Sequence, residues 1–224
     1  MLIRKEEIGK NGLLGIWHIG ESKEEFSLLF PSWLRQLSVE ETASFSSEAR
    51  IKEWYATRYL LFLLTESRQN IVYSREGKPY LTDNSWQISL SHTKDYAAVL
   101  IHKSFPVGID IETISPRVNL LADKFISTEE FVDNTKATIH RLLHWSAKET
   151  LFKLLDENPT RFKEELIIQP FAPKTNGTMK IEFRKPDFAK PLIYDIAYEV
   201  HNDYVLTWSI DYYHFLNNKP LGTP

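Results

Sequence analysis

The sequence has no cysteine and no long apolar run. Without cysteine, the 224-residue chain has no disulfide, no thiolate metal ligand and no thiol nucleophile, so any metal must bind through oxygen or imidazole. The longest apolar stretches, such as residues 59–64, are far shorter than the roughly 20 residues that cross a bilayer. Charged residues fill much of positions 1–10 and leave no apolar segment of the kind that export signals need. We therefore expect a cytoplasmic protein with no membrane partner.

The sequence also lacks an excess of positive charge, because 27 Lys and Arg stand against 30 Asp and Glu, a net charge of −3. Proteins that bind nucleic acid through its phosphates usually carry a basic excess, so we expect no nucleic-acid partner. Hydrophobic residues nevertheless make up 42% of the chain and aromatic residues 13%, which is enough apolar surface for a folded core and excludes a disordered chain.

Hydrophobic periodicity predicts long helices and short strands. Apolar residues at helical spacing predict a helix over 46–65, with Ser46 or Ser47 as its N-cap. Residues 125–155 are predicted to be largely helical, most clearly over 140–155. Alternating patterns predict strands at 86–91, 96–102, 107–112, 179–183, 194–200 and 204–210.

The two halves of the chain resemble each other. Residues 54–64 align without gaps on 145–155, with Trp, Ala and three Leu in common. This indicates an α+β fold of two similar αβ halves, 1–104 and 105–224, each a long helix packed on a small antiparallel sheet. The alternative is chance similarity between two amphipathic helices. Arg58 stands opposite Glu149 in the alignment, so we expect acidic chemistry in the second half.

Two acidic segments in the second half are candidates for chemistry. In the strand Val-Gly-Ile-Asp-Ile-Glu, alternation places Asp110 and Glu112 on one face, where paired carboxylates suit Mg²⁺. The alternative is an ordinary solvated strand face. On the helix Trp-Ser-Ala-Lys-Glu-Thr-Leu-Phe-Lys, apolar residues form a buried stripe, while Glu149 and Lys153 project together one turn apart beside Trp145 and Phe152. The alternative is an ordinary surface ion pair. The stripe consists of Leu143, Ala147, Leu151 and Leu154.

Two segments of the first half carry groups that hold phosphates. The first is the turn Gly77-Lys78-Pro79, and the second is Ser89-Leu90-Ser91-His92 at a strand end. Taken singly, the first is an ordinary turn and the second contains a histidine that is more often structural. Four segments in this order resemble the 4′-phosphopantetheinyl transferase superfamily, in particular its class with two fused halves.

This resemblance implies that the phosphopantetheine arm of coenzyme A is transferred to a serine of an apo acyl or peptidyl carrier protein, releasing 3′,5′-ADP. It implies a Mg²⁺ site at Asp110, Glu112 and Glu149, with Asp110, Glu149 and Lys153 as catalytic residues. Glu149 stays open as a metal ligand, a base or both. Lys153 also matches a lysine that contacts the phosphates. The residues implied to bind the nucleotide end in the first half are Lys78, Pro79, Ser91 and His92.

The chain departs from the family where many members carry a cation for the 3′-phosphate; Arg50, Arg75 or Arg58 is expected to replace it, Arg50 being the best placed. Glu129 or Glu130 matches an acidic residue that the family often has. Fused halves imply a monomer, and an acidic carrier implies a local basic surface. Candidates for that surface are Lys124, Lys136, Arg141 and Lys148. The alternative functions are a non-catalytic module that binds coenzyme A or a carrier protein, and a Mg²⁺-dependent phosphohydrolase.

Overall fold

The computed structural model describes residues 1–155, 161–186 and 188–213. The chain forms two compact units that divide between Lys103 and Ser104, and each is described by itself. In the first unit a four-stranded antiparallel sheet has the order β1-β2-β6-β5, and β3 and β4 form a separate hairpin. In chain order its elements are β1 (Leu2–Ile8), β2 (Gly12–His18), α1 (Lys23–Leu29), α2 (Ser32–Thr42), α3 (Glu48–Thr65), β3 (Ile71–Tyr73), β4 (Pro79–Leu81), β5 (Gln87–His92) and β6 (Tyr96–His102).

The long helix of this unit is α3, and its ends have simple local causes. Of the two predicted N-cap residues, Ser46 and Ser47, the helix uses Ser47. Its hydroxyl accepts a hydrogen bond from the Arg50 N–H. Glu66 ends the helix in the left-handed conformation, with φ of 53°. Because each buried Leu, Ile or aromatic side chain stabilises the fold by about 1.5–3 kcal/mol, the apolar face of α3 holds the helix on the sheet. That face consists of Ile51, Trp54, Tyr55, Leu60, Leu61 and Leu64.

The second unit has a five-stranded antiparallel sheet in the order β7-β11-β10-β9-β8. Its long helix, α5, packs on β7, β10 and β11 and buries the predicted stripe of Leu143, Ala147, Leu151 and Leu154. In chain order the elements are β7 (Val107–Thr113), α4 (Val118–Phe125), a 3₁₀ turn (Asn134–Lys136), α5 (Ala137–Leu154), α6 (Phe162–Glu165), β8 (Leu166–Ile168), β9 (Asn176–Phe183), β10 (Leu192–Val200) and β11 (Tyr204–Ile210).

The two units share a topology, which confirms the predicted fold class. In each unit, one strand (β2 or β7) comes before the long helix. The last strand of the unit (β6 or β11) comes after the helix, in an antiparallel hairpin, and pairs with that earlier strand. No helix among the described residues is long and apolar enough to cross a membrane.

The stretch 125–155 is largely helical as predicted, with a break that the sequence did not indicate. α4 ends at Phe125, and α5 begins at Ala137 after a 3₁₀ turn. Between them, the side chain of Glu130 accepts hydrogen bonds from the Ser127 and Ile168 backbone N–H groups, at 2.7 and 2.9 Å. These bonds hold the segment as a turn against β8, a contact with no local sequence signal. The predicted frayed tail, residues 217–224, lies outside the described residues.

Candidate active site

The candidate site of the second unit depends on a close approach of α5 to β7. A Cβ atom at Gly108 would lie 2.2 Å from the carbonyl oxygen of Thr150 and 3.1 Å from the Leu154 Cβ, so only glycine fits there. The same helix also contacts β11, where the Thr150 hydroxyl oxygen lies 2.6 Å from the hydroxyl oxygen of Thr207. By strand alternation, Asp110 and Glu112 share the face of Gly108 and therefore point toward the helix.

Asp110 is held by an ion pair across this contact. It is only 3% exposed, and its Oδ1 accepts a hydrogen bond of 2.6 Å from Lys153 Nζ. Lys153 Nζ also donates to the carbonyl of Ile109 at 3.2 Å. The interpretation of the Asp-x-Glu face as a solvated strand surface is therefore wrong, because α5 covers it. The interpretation of Glu149 and Lys153 as a surface pair is also wrong, since the lysine pairs with Asp110.

Glu112 is held by an uncharged donor. The indole Nε1 of Trp145 donates a 2.7 Å hydrogen bond to its Oε1. Burial, together with the negative charge of Asp110, raises the pKa of Glu112 above its ordinary value. The bond joins α5 to β7 and fixes one carboxylate oxygen.

Glu149 completes the cluster from the helix side. Burial, and then the charges of Asp110 and Glu112, raise its pKa to about 7, although Lys153 acts in the opposite direction. Within the described part of the chain its carboxylate makes no hydrogen bond. Three acidic groups thus repel one another beside a single lysine, and the surplus negative charge favours a bound cation.

The oxygen atoms of the three carboxylates are of the type that Mg²⁺ prefers, but they do not form a complete coordination shell. Oxygen ligands suit this ion, which usually binds through a few carboxylates, several waters and substrate phosphates. Within residues 1–155, 161–186 and 188–213, no three His, Asp or Glu side chains are arranged so that they could hold a metal by themselves. The ligands that complete the shell would therefore come from water and the substrate.

Lys148 and Glu130 lie behind the site and not on its surface. Both side chains are fully buried, and Lys148 Nζ donates to Glu130 Oε2 at 2.8 Å and to the carbonyl of Phe125 at 2.6 Å. The prediction that Lys148 belongs to a basic docking surface was wrong, because its ammonium ties α5 to the turn after α4. Of the two acidic alternatives, Glu130 makes this internal pair, whereas Glu129 lies outside and pairs with Arg184 at 3.0 Å.

In the first unit α3 meets the end of β5. The side chain of Ser91 is buried, and His92 Nδ1 lies 3.4 Å from the Glu53 carboxylate of α3. Arg50 is exposed one turn before Glu53, with its guanidinium 4.4 Å above the ring of Phe45.

The hairpin β3–β4 carries Lys78 and Pro79. Gly77 has φ of +88°, which glycine adopts without strain, and Lys78 N donates to the Ser74 hydroxyl at 3.1 Å. Arg75 is exposed in the same loop.

Arg58 ties this hairpin to α3, since its Nη2 donates to the Tyr73 hydroxyl at 3.0 Å. The side chain is only 6% exposed and lies 3.7 Å from Glu41. These contacts are internal to the unit, and a role of Arg58 as an alternative phosphate ligand stays a prediction.

The bond from Trp145 to Glu112 and the contact between Thr150 and Thr207 were not predicted. Helical spacing placed the tryptophan beside Glu149 and Lys153 but gave no signal for its bond to a residue of β7. The pairing of Thr150 with Thr207 joins residues far apart in sequence. Only the fold brings them together.

Comparison with known proteins supports the resemblance for the second half of the chain. The sequence model of the 4′-phosphopantetheinyl transferase superfamily matches residues 106–209. The chain is 31% identical over 112 residues to the 4′-phosphopantetheinyl transferase AcpT of Escherichia coli (strain K12), covering 46% of this chain and 57% of that protein. It is 34% identical over 94 residues to the 4′-phosphopantetheinyl transferase psf-1 of Bacillus pumilus, covering 38% of this chain and 40% of that protein. The chain thus spans less than two thirds of these relatives.

Proposed function

We propose, on the premise that residues 106–209 form a domain of the 4′-phosphopantetheinyl transferase superfamily, that the protein transfers 4′-phosphopantetheine from coenzyme A to a serine of an apo acyl or peptidyl carrier protein. The reaction breaks a P–O bond of the pyrophosphate, forms a P–O bond to the serine oxygen and releases 3′,5′-ADP. The observation that carries the proposal is the acidic cluster of Asp110, Glu112 and Glu149 around the cation Lys153. Phosphoryl transfer needs such groups to neutralise charge and accept a proton.

The contacts of the three carboxylates support different roles. Asp110 is bonded to Lys153 and Glu112 to Trp145, whereas Glu149 has no hydrogen bond within the described residues. We assign the serine proton to Glu149, whose pKa of about 7 suits an acceptor that works near neutral pH. Lys153 would place its positive charge beside the phosphates.

Mg²⁺ would be held by Asp110 and Glu112 together with oxygens of water and substrate, and when bound it would neutralise charge on the pyrophosphate. Glu149 as a third metal ligand is the alternative to Glu149 as the base, because the two roles compete for the same carboxylate. In the first unit we assign the nucleotide end to a set of cationic and hydroxyl groups on the β3–β4 hairpin, the end of β5 and the start of α3. These are Lys78, Pro79, Arg75, Ser91, His92 and Arg50. The division of labour between 1–104 and 105–224, the monomeric state and the cytoplasmic location stay predictions.

Intact-mass spectrometry of apo carrier proteins tests the proposal. The protein is incubated with coenzyme A, Mg²⁺ and a panel of fatty-acid, polyketide and peptide-synthetase carriers, with EDTA as a control. A phosphopantetheine mass gain that EDTA removes is expected on at least one carrier. Asp110→Ala and Glu149→Ala should each lose transfer by at least about a thousandfold, since the first removes a proposed ligand of the cation and the second removes the proposed proton acceptor. Asp195→Ala, an exposed carboxylate of the same unit, is the matched control and should retain it.

The other outcomes identify the alternatives. Release of phosphate or phosphopantetheine without any carrier would indicate a phosphohydrolase. Binding of coenzyme A in calorimetry without a mass gain on any carrier would indicate a binding module. Full transfer by both alanine variants would contradict the roles assigned to the carboxylates.

A further inference from the structure

We propose that Trp145 is a positioning residue, which holds the Glu112 carboxylate in the orientation that binds a divalent cation. The inference rests on the proposed function and extends it to a residue that is not among the proposed metal ligands or bases. Its first support is the 2.7 Å bond from the indole Nε1 to Glu112 Oε1, a length typical of hydrogen bonds to ionised acceptors.

The second support is the chemistry of the donor. Among the described residues, Trp145 is the one hydrogen-bond donor to Glu112. A carboxylate rotates over a broad range about its last torsion, so a single bond at one oxygen fixes the direction of the other. The indole donates one hydrogen bond and carries no charge. It therefore orients Glu112 without adding a positive charge. A lysine or arginine at this position would compete with the metal cation for the carboxylate.

The third support is the rigidity of the tryptophan. Its ring centroid lies 5.2 Å from that of Phe125 and 6.1 Å from that of Phe162, so aromatic packing restrains its two side-chain torsions. The helix that carries it is anchored to β11 by the bond between Thr150 and Thr207. The indole N–H is thus fixed relative to the sheet before any ligand binds.

The first unit offers a matched comparison. Trp54, which aligns with Trp145, donates from its Nε1 to Glu41 Oε2 at 2.9 Å. In this unit Arg58 occupies the position that Glu149 has in the second, so the same type of bond exists beside a cation instead of an acidic cluster. Loss of the Trp54 bond should lower only the stability of the fold. Loss of the Trp145 bond should lower the stability and also weaken cation binding.

Titration with Mn²⁺ in the presence of coenzyme A tests the inference, with the free ion counted by electron paramagnetic resonance. Trp145→Phe keeps an aromatic ring and removes the donor. We expect its Mn²⁺ dissociation constant to rise about tenfold, the low end of the range for losing a hydrogen bond to a metal ligand. Trp54→Phe should change it less than about twofold. Equal effects of the two substitutions, or no effect of Trp145→Phe, would overturn the positioning role.

The inference also predicts coupling between the two residues. In a Glu112→Gln background, Trp145→Phe should cause no further loss of Mn²⁺ affinity, because the charged ligand it orients is gone; an undiminished loss would contradict the inference. Should Trp145→Phe fail to fold, the indole N–H resonances of the wild type give an independent test. The Trp145 resonance should shift on addition of Mg²⁺ and coenzyme A, and the Trp54 resonance should not; an unmoved Trp145 resonance contradicts the inference.

The wild-type transfer assay separates this inference from the proposed function. If the wild type transfers phosphopantetheine but Trp145→Phe does not change the affinity for Mn²⁺, only the positioning role is overturned. Absence of transfer to every carrier, with Mn²⁺ affinity still dependent on Trp145, would overturn the proposed function and leave the positioning role supported.

Discussion

Gly108 is a position where a single methyl group should disturb both the fold and the site. Because a Cβ would lie 2.2 Å from the Thr150 carbonyl oxygen, Gly108→Ala must push α5 away from β7. We expect a loss of about 3 kcal/mol in the free energy of unfolding, at the upper end for overpacked positions. Transfer should fall with it, since the 2.6 Å bond between Lys153 and Asp110 spans the same contact.

Urea unfolding measures this loss, and Gly20→Ala is the control. The nearest atom to a Cβ at Gly20 is His18 Nδ1 at 3.4 Å, an ordinary contact. Its effect should stay within about 0.5–1 kcal/mol. Equal stability of the two variants would refute the close approach of helix and strand.

Two buried histidines should make the protein sensitive to acid. His140 and His144 lie one turn apart on α5, with ring centroids 4.8 Å apart. Burial lowers the pKa of each from 6.5 to about 4, helped at His140 by His144 and at His144 by Lys148. Both are therefore neutral at pH 7. In the unfolded chain they bind protons near pH 6.5, so stability should fall as the pH drops from 6.5 to about 4, by on the order of 3 kcal/mol per imidazole.

The free energy of unfolding, measured from pH 7 to pH 4.5, checks this sign. His144→Phe removes one titrating ring and should flatten the dependence. His201→Gln replaces an exposed histidine paired with Glu199 and should run parallel to the wild type. A wild-type slope in His144→Phe would mean that other groups cause the acid sensitivity.

Among the elements, the turn between α4 and α5 depends on a buried charge pair. Lys148→Met should cost about 3–5 kcal/mol, because it leaves the Glu130 carboxylate buried without its cation. The double variant with Glu130→Gln should be less destabilised than the sum of the two single changes. Chemical unfolding of the three variants gives the coupling energy.

The control for this cycle is the exposed pair of Lys180 and Asp195 on β9 and β10. Lys180→Met should change the stability by less than about 1 kcal/mol, as surface ion pairs usually do. A Lys148→Met variant as stable as Lys180→Met would show that the buried pair contributes little.

Local signals predicted the elements whose faces differ strongly in polarity. The helix α3, the strand β9 and the stripe of α5 were predictable because alternation and helical spacing follow directly from burial on one side. The turn at Glu130 was not predictable, since its stability comes from a lysine in another helix and a backbone N–H in β8. For the same reason, the sequence indicated Asp110, Glu112 and Glu149 as a group but not the pairing of each with its partner.

At the scale of the whole molecule, each unit has a hydrophobic core of its own. The central strands β6 and β11, each paired on both sides and largely buried, should therefore show the slowest amide hydrogen exchange. The hairpin β3–β4, with exposed side chains and one partner strand, should exchange at least about a hundredfold faster. Mass spectrometry of exchanged peptides measures this, and strong protection confined to one unit would contradict it.

Arg58 of one long helix and Glu149 of the other stand at aligned positions but carry opposite charges, and this difference has an evolutionary consequence. A protein assembled from two identical copies of one αβ half must carry every charge twice, so a substitution that helps one copy is imposed on the other. A chain that encodes two similar halves separately escapes this constraint. Here one half carries a cation that binds its own hairpin, and the other carries a cluster of acids, so each position suits its own half without a compromise between them.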